Sequence, residues 1–162
     1  MNQSKTQRLL EIVQEAASKH HVFESRGQGA GNHVTNDAIR EINQKVKAEF
    51  GDRVVEVTLS NLSKQSVDFY FEDEGTVVEI EFSLSNPYPC LEKDAFKVLI
   101  AKENGRPITR LIFIGDPGCR KRLSSAAPQS IIKWLKKNHE IDVEVIELTA
   151  ASSFPKADGQ KV

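Results

Sequence analysis

Val67–Phe82 reads VDFYFEDEGTVVEIEF, and its reading decides the fold. Phe69 and Phe71 share one face of a strand. Val78, Ile80 and Phe82 share one face of the next, the period-two pattern of half-buried β-structure. Asp73-Glu74-Gly75 between them is a hairpin turn signal. Matching apolar to apolar pairs Phe71 with Val78 and Phe69 with Ile80. In that register Asp68 faces Glu81, and Glu79 is its diagonal neighbour. Three carboxylates then converge on the face opposite the Phe/Ile cluster. Their repulsion costs about 0.2–1 kcal/mol per cross-strand pair, and a cation relieves it. Oxygen-rich clusters of this kind suit Mg²⁺ or Mn²⁺. Alternating glutamates are equally the pattern of a solvated strand face. A three-residue turn with a bulge at Gly75 shifts the register by one and splits the carboxylates between faces.

Working outward, residues 5–20 have an apolar stripe at helical spacing. Residues 24–32 (ESRGQGAGN) break it as a loop. A second helix is expected from Thr35 or Asn36 to Gly51, burying Ile39, Ile42, Val46 and Phe50. Residues 53–59, 66–72 and 76–83 are β-rich. Pro87 and Pro89 punctuate a loop before a helix over 91–103, which stops at Asn104-Gly105. The mostly apolar run 108–114 (ITRLIFI) reads as a strand buried on both faces. Gly115–Ser125 is a loop, Pro128 opens a helix to about His139, and 141–148 is a last strand. The order α, α, β, β, β, α, β, α, β predicts an α/β protein, a mixed sheet flanked by helices. Residues 1–150 form one domain, and 151–162 are a small, polar tail.

Asp68, ten intervening residues and then Glu79-Ile80-Glu81, followed by a helix and a buried strand, resembles the PD-(D/E)xK nuclease superfamily. Residues 36–148 are similar to its restriction-endonuclease-like αβββαβ core, with helix 5–20 as an extra element. Glu81 stands where the family normally has lysine. That departure, with VVEIEFSLSNPYPCLEKDAFKVLIA leading into a helix with DxxK, resembles the BamHI/BglII branch of restriction enzymes. The resemblance implies Asp68, Glu79 and the Ile80 carbonyl as metal ligands. It makes Glu81 the group that orients or deprotonates the attacking water. Lys97 or Lys93 on the next helix replaces the missing strand lysine. Glu41 on the first core helix is a weaker, outer metal ligand, or simply a solvated helix position. The implied chemistry is Mg²⁺- or Mn²⁺-dependent hydrolysis of DNA by a homodimer. The alternatives are an inactive nuclease-like module that binds DNA or protein, and an interaction domain whose acidic hairpin is merely solvated.

Other segments carry less. Gly27–Gly31 lacks the strand context of a dinucleotide fingerprint, and Gly115–Lys121 lacks the ending of a phosphate loop, so no nucleotide cofactor is expected. Arg26, Asn32, Arg120, Lys121 and Arg122 are candidate phosphate contacts, or solvated loop residues. The histidines show no metal spacing, and Trp134 is expected in the core. Cys90 and Cys119 are too few and too far apart for a disulfide framework. The lack of an 18–20-residue apolar span or signal segment argues for a cytoplasmic protein without a membrane anchor. The 162 residues carry 22 Lys+Arg and 23 Asp+Glu, which excludes a uniformly basic coat protein. Divided along the chain, residues 52–90 carry net −6 and residues 91–140 net +6. An acidic hairpin and a basic stretch are thus hidden inside a near-neutral total.

Overall fold

A computed structural model describes residues 3–24, 31–59, 66–82 and 87–150. Helix α1 (Lys5–Lys19) begins where the Ser4 side chain accepts from the Gln7 amide at 3.1 Å, satisfying one free helix donor. Its buried stripe is Leu9, Ile12, Val13, Ala16 and Ala17. Helix α2 (Gly31–Phe50) starts upstream of the expected Thr35. Val34 sits one helical turn before Ala38, Ile42 and Val46 and packs on the same cluster, so the apolar stripe extends the helix. Strands β1 (Val55–Thr58), β2 (Ser66–Phe71) and β3 (Thr76–Glu81) form an antiparallel meander. Helix α3 (Tyr88–Glu103) crosses to β4 (Arg110–Gly115), which runs parallel to β3. The short helix α4 (Cys119–Arg122) and helix α5 (Ala126–His139) lead to β5 (Asp142–Glu147), parallel to β4. The sheet is five-stranded, in the order β1-β2-β3-β4-β5. The expected mixed α/β sheet flanked by helices is what the chain forms.

Helices lie on both faces. Helices α1 and α2 cover Phe69, Phe71, Val78, Ile80, Ile112 and Ile114. Helices α3 and α5 cover Tyr70, Val77, Leu111 and Ile141. Strand β4 therefore buries Ile112 and Ile114 on one side and Leu111 and Phe113 on the other, which is why its sequence is continuously apolar.

The structure corrects three expectations. The hairpin register is Phe71↔Thr76 and Phe69↔Val78, two residues tighter than apolar matching gave. The turn is the reason. Glu72–Glu74 form one 3₁₀ turn, Gly75 closes it in the left-handed region (φ 58°), and its amide bonds to Glu72 O at 3.1 Å. Because side chains alternate with period two, a two-residue shift leaves every face assignment intact. Pro87 and Pro89 lie at the start of α3 rather than in a loop, since a first helical turn needs no proline N–H. Trp134 is not core. It is 48 % exposed beside Phe96 at 60 %, because Leu135 and Ile131 take the inward side of α5.

Candidate functional site

The β2–β3 ladder pairs residues as far as Phe69↔Val78, and there two carboxylates enter it. Asp68 Oδ2 accepts from the Ile80 amide at 2.8 Å, and Glu79 Oε2 accepts from the Asp68 amide at 3.2 Å. Each side chain thus satisfies a backbone donor. Glu79 shares the sheet face of Val77, which α3 covers. From α3, Lys97 Nζ reaches Glu79 Oε1 at 2.8 Å and Asp94 Oδ1 at 3.0 Å. The Lys97 side chain is 11 % exposed and that of Asp94 1 %. Glu81 lies at the end of β3, where the Cys90 thiol hydrogen-bonds to it.

One ammonium therefore serves two buried carboxylates, Glu79 and Asp94, with the partly buried Asp68 near enough to feel its charge. Burial pushes Asp68 above the usual carboxylate range, although the Ile80 amide opposes the shift. Glu79 is pushed up to about 8, first by burial and then by the charges of Asp94 and Asp68. Burial, with Asp94 behind it, raises Glu81 as well. Burial alone would lower Lys97, but Glu79 and Asp94 outweigh it and hold the ammonium above its ordinary value. This is a strongly perturbed set, a known mark of functional sites.

The expected site residues divide clearly. Asp68, Glu79 and Lys97 come together, with Glu81 beside them. Lys93 is half-exposed on α3, its Nζ 3.9 Å from Asp94 Oδ1. Glu41 is not brought to this cluster. It turns instead to α1, pairing with Lys19 at 2.8 Å and His20 at 2.7 Å, and with Lys45 of its own helix at 3.2 Å. Hydrogen bonds from Lys19 and His20, with Lys45 behind them, pull its carboxyl down to about 2.

The basic trio sits at the sheet end that carries Glu81, because Glu81 pairs with Gly115 and α4 begins four residues later. Arg120 and Lys121 are exposed; Arg120 Nε also donates to Val145 O at 3.0 Å. Arg122 turns back onto Asp116 and Pro117 O and braces its own loop. Asn32 lies in the first turn of α2, whereas Arg26 and residues 151–162 lie outside the described residues.

Asp94 is the residue to which sequence reasoning gave no role. Its signal was present. In Leu91-x-x-Asp94-Ala95-x-x-Val98 it occupies the apolar register of α3, where a carboxylate needs a reason.

The donors Asp68, Glu79, Asp94 and the Ile80 carbonyl fit a hard divalent cation in chemistry and in charge. In the orientation observed, the oxygens of Asp68 and Glu79 are turned onto backbone amides and Lys97. Among the described residues no three His, Cys, Asp or Glu side chains are grouped as metal ligands. No described helix is long and apolar enough to cross a membrane. No family model, curated protein or solved structure matches the chain.

Proposed function

We propose that this chain is a restriction-endonuclease-like domain that hydrolyses DNA phosphodiester bonds with Mg²⁺ or Mn²⁺, as a cytoplasmic homodimer. One observation carries the reading: where the β2–β3 ladder gives way to side chains, Asp68 holds the Ile80 amide, Glu79 holds the Asp68 amide, and Lys97 reaches Glu79 at 2.8 Å. The PD-(D/E)xK pattern needs such a convergence, and a merely solvated hairpin has no use for it. When bound, the metal lowers the pKa of water and neutralises charge on the phosphate. Asp68, Glu79 and the Ile80 carbonyl would hold it. Lys97 supplies a fixed positive charge, the role of the absent strand lysine. Glu81, beside the cluster and more exposed than Glu79, accepts a proton from water. Arg120 and Lys121 supply phosphate contacts at the same sheet end.

Plasmid cleavage by purified full-length protein with Mg²⁺ or Mn²⁺ tests this. Asp68→Ala and Glu79→Ala should each reduce cutting by at least about 100-fold, the usual scale for removing a catalytic group, with folding retained. Clean wild-type protein that cuts under neither metal sinks the enzyme. The engagement of both carboxylates with backbone amides favours a second reading, a nuclease-like module that binds DNA without cutting. DNA retardation by wild type with no cleavage in either metal identifies that case. Sedimentation equilibrium decides the dimer; a monomer at micromolar concentration, with and without duplex, removes it.

A further inference from the structure

Asp94 sits on the inner face of α3, one turn before Lys97 and among Leu91, Ala95 and Val98. It is 1 % exposed. Lys97 Nζ lies 3.0 Å from Oδ1 and Lys93 Nζ 3.9 Å. Among the described residues, no donor makes a well-directed hydrogen bond to either Asp94 oxygen. A buried carboxylate whose oxygens lack directed hydrogen bonds and lean on one ammonium is expensive, and natural cores seldom keep one idle. Lys97 would balance Asp94 if it had no other duty, but it also holds Glu79 at 2.8 Å. A single ammonium is therefore divided between Glu79 and Asp94, and Asp68 adds a third carboxylate within reach of its charge. With all of them ionised, the cluster carries two excess negative charges, the charge of one divalent cation. Packed carboxylates select oxygen-seeking divalent ions.

We propose that Asp94 is the third carboxylate of a divalent-cation site shared with Asp68 and Glu79, and that Lys97 holds the cation's place until it arrives. The inference deepens the nuclease reading and rests on it for the use of the ion. In the observed arrangement Lys97 holds Glu79 and Asp94, while Asp68 turns onto the Ile80 amide.

Titration of full-length protein with Mn²⁺, followed by the EPR signal of the free ion, tests the assignment. Wild type should take up Mn²⁺ saturably. Asp94→Asn should bind at least about tenfold more weakly, the scale seen when a metal site loses a supporting group. Asp73→Asn, which removes an exposed hairpin carboxylate paired with Lys5, should bind as wild type. Lys97→Met should bind more tightly, because the competing ammonium is gone. An Asp94→Asn titration superimposable on wild type overturns the proposal, as does wild type that takes up no Mn²⁺. If Asp94→Asn loses its far-UV circular dichroism, Lys97→Met decides: tighter binding supports the site, and equal or weaker binding removes it. Mn²⁺ uptake that needs Asp94, in a protein that never cuts DNA, leaves the site and sinks the nuclease. Cleavage that needs Asp68, with Asp94→Asn taking up Mn²⁺ normally, does the reverse.

Discussion

Glu79 holds its carboxylate between an amide and an ammonium, and it is still pushed up to about 8 by burial and by its acidic neighbours. The sign of the consequence follows. A carboxyl whose folded pKa lies above its unfolded value binds its proton more tightly when folded. The stability it contributes is complete below about 4.5 and is lost as pH rises toward about 8. Thermal midpoints measured from pH 5 to 8 should fall in the wild type, and Glu79→Gln should flatten the decline. An equally steep decline in Glu79→Gln would move the titration elsewhere. Relief by a divalent ion should be visible in the same experiment, since a ligand that binds only the folded state raises the midpoint with concentration.

The elements carry separate duties. Helices α1 and α2 are tied at one edge by Glu41, which gathers Lys19, His20 and Lys45. Its pKa is depressed to about 2, so the stability it contributes is present above 4.5 and is lost as pH falls toward 2. Glu41→Gln should cost about 1 kcal/mol in urea unfolding at pH 7, since the network is only partly buried. The difference should vanish near pH 2. The β2–β3 turn is less tolerant. A Cβ on Gly75 would lie 2.7 Å from Pro107 O and 2.9 Å from Thr109 Oγ1, in backbone at φ 58°. Gly75 also bridges to the next strand, because its carbonyl accepts from Thr109 at 2.9 Å and Arg110 at 3.1 Å. Gly75→Ala should therefore destabilise by about 2 kcal/mol or more, read as a lower urea midpoint with unchanged slope.

At the scale of the whole molecule, the parallel β3–β4 pairing sets Glu81 level with Gly115, so α4 with Arg120 and Lys121 lies at the same end of the sheet as Glu81, against β5. If that end meets a nucleic-acid backbone, Arg120→Ala with Lys121→Ala should weaken duplex binding. The slope of log affinity against log salt should drop by about 0.9 for each phosphate left unneutralised. An unchanged slope would place the backbone elsewhere.

Much of this was legible in the chain. Alternation in Val67–Phe82, the apolar run Leu111–Ile114 and the stripe of α1 each report a local period, and a local period names an element and its buried face. The mixed sheet, the shared face of Asp68 and Glu79, and Lys97 on the following helix could all be read that way. Register could not, because it is set by the turn that Gly75 closes, and apolar matching is blind to turn geometry. Nor could the separate fates of Glu41 and Asp94, both acidic residues on helices. Packing turned Glu41 toward Lys19 and His20 and enclosed Asp94 above the sheet. The sequence by itself determined the elements and the faces on which their carboxylates lie. Only the tertiary structure decided which charges share a buried space, because that depends on distances between segments far apart in the chain.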